Sequence, residues 1–387
     1  MKTREKKYTI KSILLAKWVS FVIAMAALDK PIRDSIIKNV ERIISCQDPK
    51  KGYALYVCQE CDSFKHVYFT CKSRFCNTCG AKYSKDRALS ISGKLIDCSH
   101  RHVVFTIPEV LWKYFAHDRS LLDVLFHAAR DTIGHYFGNR NKSENYVPGM
   151  VCVLHTFGRD LKWNPHIHMI LCEEAIGNSG IWKKFDFIKY EALRRGWQYN
   201  ILEQLRERIP GAKFDALVKK LYADHKDGFY VNAPPQKNFS KGVVNYIVRY
   251  VGRPALAQSR IINFDGESVS FVYTPHGSKK EKTETIHVFE FIKRLIIHIP
   301  DYHFETIRYY GFYNDKHSKY NQYLSRRKLV SPATQERLRA VHKYWHSRIL
   351  YYFRYDPLKC SCGGDMDFVE LFRVPRKKNM DYSWQGT

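Results

Sequence analysis

The stretch MVCVLHTFGRDLKWNPHIHMILCE, residues 150–173, predicts the fold of the central part of the chain. Two runs rich in apolar and β-branched residues flank the polar loop RDLKWNP, a pattern typical of a β-hairpin. Because alternate residues of a strand point to the same side, His166 and His168 share one face. Symmetric pairing of the two strands places His155 opposite His166 on that face. The hairpin therefore predicts three imidazoles on one side of a sheet.

Three converging imidazoles can bind a divalent cation and leave coordination positions open for a substrate. By themselves, two histidines on either side of one residue are more often ordinary solvent-exposed side chains of a strand. We therefore treat His155, His166 and His168 as a candidate metal site. Asp160 is the alternative third ligand, although its place in the turn also suits local hydrogen bonding.

The segments around the hairpin predict the fold class. Further strands are expected at residues 101–109 and 228–234, and a second hairpin is expected around Asp265 and Gly266. Strands separated by helices of uneven length, together with hairpins, favour an α+β domain with an antiparallel sheet over a doubly wound one. We expect this domain to span about residues 95–300.

Two helical patterns lie between these strands. The segment SLLDVLFHAARDTIGHYF begins with Ser120 and Asp123 at the spacing of a capping box. The segment IKYEALRRGWQYNILEQLRERI stops just before Pro210, which cannot continue a helix. We therefore expect helices to flank the sheet.

The segment KGVVNYIVRYVGRP predicts a helix of about three turns that ends at Pro254. Tyr246 and Tyr250 lie four residues apart and so share a face of this helix, next to a basic stripe of Arg249 and Arg253. Two tyrosines at this spacing are also typical of a packed core. In a basic chain with a candidate metal site, they are candidate nucleophiles that attack a phosphodiester, and the arginines are candidate DNA contacts.

Six of the eleven cysteines lie between Cys46 and Cys79. Two CxxC pairs in this stretch are separated by fourteen residues, and two such pairs can supply the four thiolates of a structural zinc site. The expected ligands are Cys58, Cys61, Cys76 and Cys79. Redox pairs are the alternative.

The remaining candidate ligands leave further metal sites open. Cys46, Cys71 and His66 would allow a second zinc, although a small buried cysteine needs no metal. Near the end of the sequence, Cys360 and Cys362 precede a Gly-Gly turn and resemble half a zinc ribbon whose other half is not evident.

The charge of the chain indicates a polyanionic partner. Lys and Arg number 64 against 38 acidic residues, a formal net charge of +26. Nucleic acid is the leading candidate, and an acidic membrane surface is the alternative. Basic residues alternate with aromatic ones in stretches such as RILYYFRY, a mixture suited to phosphates and stacked bases. Amphipathic core segments with basic outer faces give the same pattern.

The apolar segment after the basic N-terminus resembles a signal peptide. Lys17 interrupts it, and the apolar run is too short to span a bilayer. The cysteine usage fits a reducing compartment. We expect a helix that packs on the next domain, in a soluble, cytoplasmic protein.

Several motifs together resemble one family. In order along the chain they are HTFGRDLKWNPHIHMIL, VVNYIVRYVGRP, HVFEFIKRLIIHIP, IRYYGFY and DPLKCSCGGDM, behind the cysteine-rich stretch. This series is similar to the two-tyrosine HUH transposases of the insertion-sequence ninety-one family, from about Cys46 to Met366. The resemblance implies rolling-circle transposition, in which one DNA strand is nicked, held as a 5′-phosphotyrosine and passed to a single-stranded target.

The resemblance also assigns roles. It makes His166 and His168 the metal pair and Tyr246 and Tyr250 the nucleophiles, with Mg2+ or Mn2+ as cofactor. It implies an N-terminal zinc-binding domain for end recognition, expected at residues 1–90, before the nuclease domain at 95–300 and a basic C-terminal region at 301–387. The third metal ligand varies within the family, and the C-terminal cysteines of the family more often have two residues between them, whereas Cys360 and Cys362 have one.

Two other functions remain open from the sequence. A plasmid-type replication initiator or relaxase would share the metal pair and the tyrosine chemistry. A non-catalytic zinc-dependent DNA-binding protein would use the histidines and tyrosines only as structural residues. The sequence contains no phosphate-binding loop of the GxxxxGK[ST] type. We therefore expect strand unwinding to depend on a host helicase or replication factors at the nucleoid.

Overall fold

The computed structural model has three antiparallel sheets and flanking helices in the part of the chain that it describes, which confirms the α+β prediction. The described residues are 8–185, 188–234, 255–275, 277–314, 320–325 and 327–373. The strands there are β1 Gly52–Cys58, β2 Phe64–Tyr68, β3 His100–Phe105, β4 Val147–Phe157, β5 Trp163–Ile176, β6 Trp182–Lys184, β7 Val231–Asn232, β8 Ile261–Phe264, β9 Ser268–Tyr273, β10 Lys282–His287, β11 Ile307–Tyr310 and β12 Met366–Arg373. The helices are α1 Ile10–Ala27, α2 Asp34–Ile44, α3 Asn77–Ser92, α4 Glu109–His117, α5 Leu122–Gly138, α6 Tyr190–Arg208, α7 Ala212–Asp224, α8 Val288–Ile296, α9 Asn321–Ser325, α10 Pro332–Lys343 and α11 Trp345–Phe353.

The largest sheet has the strand order β11-β4-β5-β3-β7, and β6 pairs with β5. Strands β4 and β5 form the predicted hairpin, with His155 opposite His166. The second predicted hairpin is also present, because β8 and β9 pair on either side of Gly266, whose φ is +102°. A positive φ at the turn favours glycine there.

Different elements pack on the two faces of this central sheet. Ile167, Met169 and Leu171 of β5 point into a large apolar core shared with α5 and α6. Ile170 and Cys172 point to the other side, where they pack against α3 and the residues after β11. Because residues two apart share a face, His166 and His168 belong to this second side, beyond the end of its apolar cover. The alternation therefore places the histidines on the side of the sheet opposite the large apolar core, where His166 and His168 stay partly exposed.

Helix α1 packs on another part of the protein, as expected. Its buried residues, among them Ile13 and Phe21, share a core with α2, α8 and β9. The ring of Phe21 makes an edge contact with Phe289 at 5.6 Å. By length and composition, α1 is the one helix among the described residues that could cross a membrane, and a third of it is buried in the protein.

The capping box expected at Ser120 and Asp123 is wrong. Ser120 lies inside a 3-10 turn at residues 119–121, and its N–H donates to the carboxylate of Asp118 at 2.9 Å. Asp118 has the extended backbone of a cap residue, so it takes the role that the sequence pattern gave to Ser120. Asp123 instead accepts a hydrogen bond from Arg308. The end of α6 at Arg208 agrees with the prediction from Pro210.

The C-terminal strand β12 joins the cysteine-rich part of the chain. It pairs with β1 over seven positions, from Gly52 opposite Arg373 to Cys58 opposite Met366. Strand β11, which follows residue 300, belongs to the central sheet. Each of these two sheets therefore contains strands from more than one of the predicted domains, residues 1–90, 95–300 and 301–387.

Candidate metal centre and catalytic site

Three histidines meet on the second face of the central sheet. The ring centroids of His155 and His168 are 4.4 Å apart, and those of His166 and His168 are 4.8 Å apart. One ring nitrogen from each of the three lies within 4.8 Å of the others. The structure therefore brings together the residues that the hairpin pairing predicted, while their role as ligands stays a prediction.

The nitrogen positions fit a metal ion. Nε2 of His166 lies 3.0 Å from Nε2 of His168. Two nitrogens that each lie about 2.1 Å from a cation, at a right angle to one another, are about 3.0 Å apart. Nδ1 of His166 lies 2.7 Å from the carbonyl oxygen of Asn164, which can only accept, so Nδ1 holds the proton. Burial lowers the pKa of His166 and keeps the ring neutral, which leaves the Nε2 lone pair free for a ligand.

His102 of β3 lies beside this group, although the sequence did not indicate it. Its Nε2 lies 2.8 Å from Nδ1 of His168, and the two rings stack with centroids 5.0 Å apart. Burial lowers the pKa of His102 to about 4, so its ring is neutral near pH 7. A hydrogen bond at Nδ1 fixes the ring of His168 with Nε2 directed at His166. His102 therefore orients a candidate ligand from the neighbouring strand.

Asp160, the alternative third ligand, does not join this group. Its Oδ1 accepts a hydrogen bond from the N–H of Lys162 at 3.2 Å, within the loop that connects β4 and β5. The group of three contains His155 instead. The structure confirms the local hydrogen bonding that the position of Asp160 in the turn suggested.

The candidate nucleophiles Tyr246 and Tyr250, with Arg249 and Arg253, lie outside the described residues. The strand that precedes them, β7, pairs with β3 through Asn232 opposite Val104. Val104 in turn lies opposite His168 on β5. The strand that precedes the tyrosine segment, β7, is therefore paired with β3, and β3 is the neighbour of β5, which carries His166 and His168.

A buried ion pair holds the end of β7. The guanidinium of Arg101 lies 2.6 Å from the carboxylate of Glu173, and both side chains are more than nine-tenths buried. Arg101 also donates to the carbonyl oxygen of Ala233 at 3.3 Å, and the hydroxyl of Tyr190 donates to the same oxygen at 2.5 Å. These contacts fix the position of Ala233, close to the last described residue before the tyrosine segment.

The cysteines are grouped differently from the prediction. The first group unites cysteines from the loops and the first turn around α3, and all four are buried: Cys46, Cys71, Cys76 and Cys79. The second group joins the β1–β2 turn to the loop before β12: Cys58, Cys61, Cys360 and Cys362. The expectation that Cys58, Cys61, Cys76 and Cys79 complete one shell is therefore wrong.

The pairing of β12 with β1 is the physical reason for this correction. It brings the CxC segment to the end of β1, where Cys58 lies, whereas Cys76 and Cys79 begin α3. The suggested ligand His66 belongs to neither group. It is exposed on β2, and its ring contacts Tyr53 at 4.8 Å between centroids.

The first cysteine group has the dimensions of a zinc site. Its sulfur atoms are separated by 3.7 Å for Cys46 and Cys79, 3.6 Å for Cys71 and Cys79, and 3.7 Å for Cys46 and Cys76. Zinc–sulfur bonds of about 2.3 Å in a tetrahedron place the sulfurs about 3.8 Å apart. Four thiolates leave no position for a substrate, so a zinc ion here is structural.

Two family models match the two parts of the chain just described. The model described as "Transposase zinc-binding domain" matches residues 18–107, which contain the first cysteine group. The model described as "Putative transposase" matches residues 149–321, which contain the three histidines and the tyrosine segment. The chain belongs to the insertion-sequence ninety-one family of transposases.

Two curated relatives of this transposase family are similar over most of their length. "Transposase for insertion sequence element IS801" from Pseudomonas savastanoi pv. phaseolicola is 29% identical over 87% of this chain and 84% of its own. "Putative transposase y4qJ" from Sinorhizobium fredii (strain NBRC 101917 / NGR234) is 26% identical over 70% of this chain and 73% of its own. No solved structure matches this transposase sequence.

Proposed function

We propose that this protein nicks and rejoins single-stranded DNA at insertion-sequence ends through a 5′-phosphotyrosine intermediate, as in rolling-circle transposition. One observation supports this proposal most directly. Three imidazoles converge on one face of the central sheet, and β5, which carries two of them, is two strands away from the strand that leads into the tyrosine segment. In a member of a transposase family, this arrangement suits phosphodiester chemistry.

The histidines would hold the metal ion of this reaction. His155, His166 and His168 would bind Mg2+ or Mn2+, which supplies polarisation of the scissile phosphate. Three imidazole ligands leave other positions open for phosphate oxygens. His102 would keep His168 in the orientation that this requires.

The tyrosines would perform the strand transfer. The phenolic oxygen of Tyr246 or Tyr250 loses its proton to solvent and attacks the phosphorus, and the bond from phosphorus to the 3′ oxygen breaks. The leaving oxygen takes up a proton and becomes a free 3′-hydroxyl, while the 5′ phosphate stays on the tyrosine. A 3′-hydroxyl of the target then displaces the tyrosine. Two tyrosines allow one to hold the first strand while the other makes the next cut.

The charge of the protein supports DNA as its partner. Arg249 and Arg253 would neutralise phosphate beside the tyrosines. Elsewhere, cations lie over exposed rings, such as Lys85 at 4.3 Å from the centroid of Phe353 and Lys65 at 5.2 Å from that of Tyr355. Rings and cations on one surface suit the bases and phosphates of a single strand. We place the protein in the cytoplasm with the nucleoid, and we assign strand separation to host factors.

Covalent trapping tests the proposal. The full-length protein is incubated with single-stranded DNA of the element ends and Mn2+, denatured, and examined for a protein–DNA adduct. We expect an adduct with the wild type and none with His166→Ala, which should still bind DNA. The double variant Tyr246→Phe with Tyr250→Phe should also form none. Tyr199→Phe, an exposed tyrosine on α6, is the matched control and should form the adduct normally.

The same assay distinguishes the alternatives. No adduct with any end sequence would favour the non-catalytic DNA-binding protein, and an adduct that survives the double tyrosine change would contradict the roles given to Tyr246 and Tyr250. An adduct without joining to unrelated target DNA would favour a replication initiator or relaxase. Both curated relatives are named as transposases, which favours transposition over the two alternatives.

A further inference from the structure

We propose that Cys58 and Cys61 from one end of the chain and Cys360 and Cys362 from the other bind a second zinc ion. This site would tie the C-terminal strand β12 to the β1–β2 hairpin. The zinc-binding family model ends at residue 107 and so does not contain the C-terminal pair. The proposal does not depend on the transposition chemistry.

The sulfur positions are those of a tetrahedral thiolate site. Sγ of Cys58 lies 3.5 Å from Sγ of Cys362, and Sγ of Cys61 lies 3.6 Å from Sγ of Cys360. All four sulfurs lie within 4.8 Å of one another. These separations are close to the roughly 3.8 Å of a zinc tetrathiolate and far from the roughly 2.05 Å of a disulfide. They also match the separations in the first cysteine group.

The backbone around each pair forms a tight turn. In the first turn, the N–H of Asp62 donates to the carbonyl of Cys58 at 2.8 Å, and Asp62 has a φ of +55°. In the second, the N–H of Cys360 donates to the carbonyl of Gly364 at 2.9 Å. A Cβ atom on Gly364 would lie 2.9 Å from Sγ of Cys58. Only glycine therefore allows the second turn to approach the first so closely.

The sheet at this end has too little apolar core to explain its own stability. The cluster around it contains three buried residues, Tyr56, Cys58 and Met366. The side chains of Phe368 and Phe372 on β12 stay 58% and 46% exposed. Small units with so little buried surface are usually stabilised by a disulfide or a metal ion. A zinc ion supplies the free energy that this core lacks.

A second consequence concerns the C-terminal helices. The hydroxyl of Tyr352 on α11 donates to Asp86 of α3 at 2.8 Å, and Lys85 donates to the carbonyl of Tyr352. Helix α3 starts at the first cysteine group, and β12 follows the second. One zinc ion would hold the start of α3, and the other would hold the segment that follows α11. The two ions would therefore stabilise the contact between these helices.

A third group of candidate ligands, Cys98, His100 and Cys172, does not have zinc geometry. Sγ of Cys98 and Sγ of Cys172 are 3.0 Å apart, shorter than a tetrahedral edge. Both ring nitrogens of His100 in this group already have partners, the carbonyl of Cys98 at 3.0 Å and the hydroxyl of Tyr313 at 2.6 Å. We therefore expect two zinc ions for each chain.

The zinc content of the purified full-length protein tests the proposal. The wild type should contain two zinc ions for each chain, and the double variant Cys360→Ser with Cys362→Ser should contain one. Cys362→His keeps a donor that zinc accepts at this exposed position and should contain two. Cys152→Ala changes a cysteine outside every group and should also contain two.

Cobalt substitution keeps the test decisive if the serine variant fails to fold. Cys362→His should bind two cobalt ions but lose part of the thiolate-to-cobalt charge-transfer absorption, whereas Cys152→Ala should keep all of it. Two zinc ions in the serine variant would overturn the proposal. So would a single zinc ion in the wild type, or cobalt absorption in Cys362→His that equals that of the wild type.

Discussion

Nε2 of His102 lies 2.8 Å from Nδ1 of His168, the histidine on the neighbouring strand. His168 presents its other nitrogen to His166, so the contact with His102 determines where that nitrogen points. Contacts of this kind around metal ligands influence affinity even though they do not touch the ion.

Replacing His102 should weaken metal binding without removing it. We expect His102→Ala to lower the affinity for Mn2+ by about 10-fold to 100-fold, because His168 loses the partner that orients it. Titration with Mn2+, followed by the spin signal of free Mn2+, measures this. His168→Ala is the comparison and should lose binding almost completely. Equal affinity of His102→Ala and the wild type would show that His102 has no orienting role.

Two buried histidines away from the metal site should make the fold sensitive to acid. Burial lowers the pKa of His100 and of His298 to about 4, below the ordinary value of 6.5. Between pH 6.5 and pH 4 the unfolded chain takes up protons at these positions and the folded chain does not. The free energy of unfolding should therefore fall as the pH falls through this range.

The urea midpoint measured at a series of pH values tests this dependence. His298→Gln should flatten the curve between pH 6.5 and pH 4, because one of the two groups no longer titrates. The exposed His66 is the matched control, and His66→Gln should leave the slope unchanged. A slope that His298→Gln does not change would rule out this source of acid sensitivity.

The two zinc ions should leave the protein at different rates. The four cysteines of the first group are all buried, whereas Cys61 and Cys362 of the second are exposed. A chelator reaches exposed thiolates first, so we expect one zinc ion to be lost quickly and the other slowly. A colour-forming zinc chelator gives the time course. A single phase that releases both ions would contradict the difference in burial.

The buried pair of Arg101 and Glu173 should be needed for stability. Arg101→Met leaves the carboxylate of Glu173 buried without a partner, a change that costs about 3–5 kcal/mol. The double variant Arg101→Met with Glu173→Leu should recover most of this loss. Urea denaturation gives both values, and Lys38→Met in the exposed pair with Asp34 should have no measurable effect. A double variant as unstable as the single one would exclude a charge effect.

The parts of the site that depend on neighbouring sequence could be predicted. The β4–β5 hairpin and the pairing of His155 with His166 followed from strand alternation and a short polar loop. His102 could not be found in this way, because α4, α5 and β4 lie between β3 and β5 in the sequence, so their pairing leaves no local pattern.

The cysteines show the same limit more clearly. The sequence pairs Cys58 and Cys61 with the nearest CxxC motif, but β12 brings the partners from the other end of the chain. The spacing of cysteines predicts ligands that lie on one local segment. It does not predict which distant segments pair in a sheet and bring their cysteines together. The choice between Ser120 and Asp118 as a cap depended on backbone angles that neighbouring residues do not specify.

The position of the covalent DNA adduct tests the central claim most directly. Trypsin cuts after Lys241, Arg249 and Arg260, so Tyr246 and Tyr250 fall into separate peptides, residues 242–249 and 250–260. After trapping with single-stranded end DNA and nuclease digestion, mass spectrometry should find the added nucleotide on one or both of these peptides. An adduct on any other peptide, or none in the presence of Mn2+, would contradict the account.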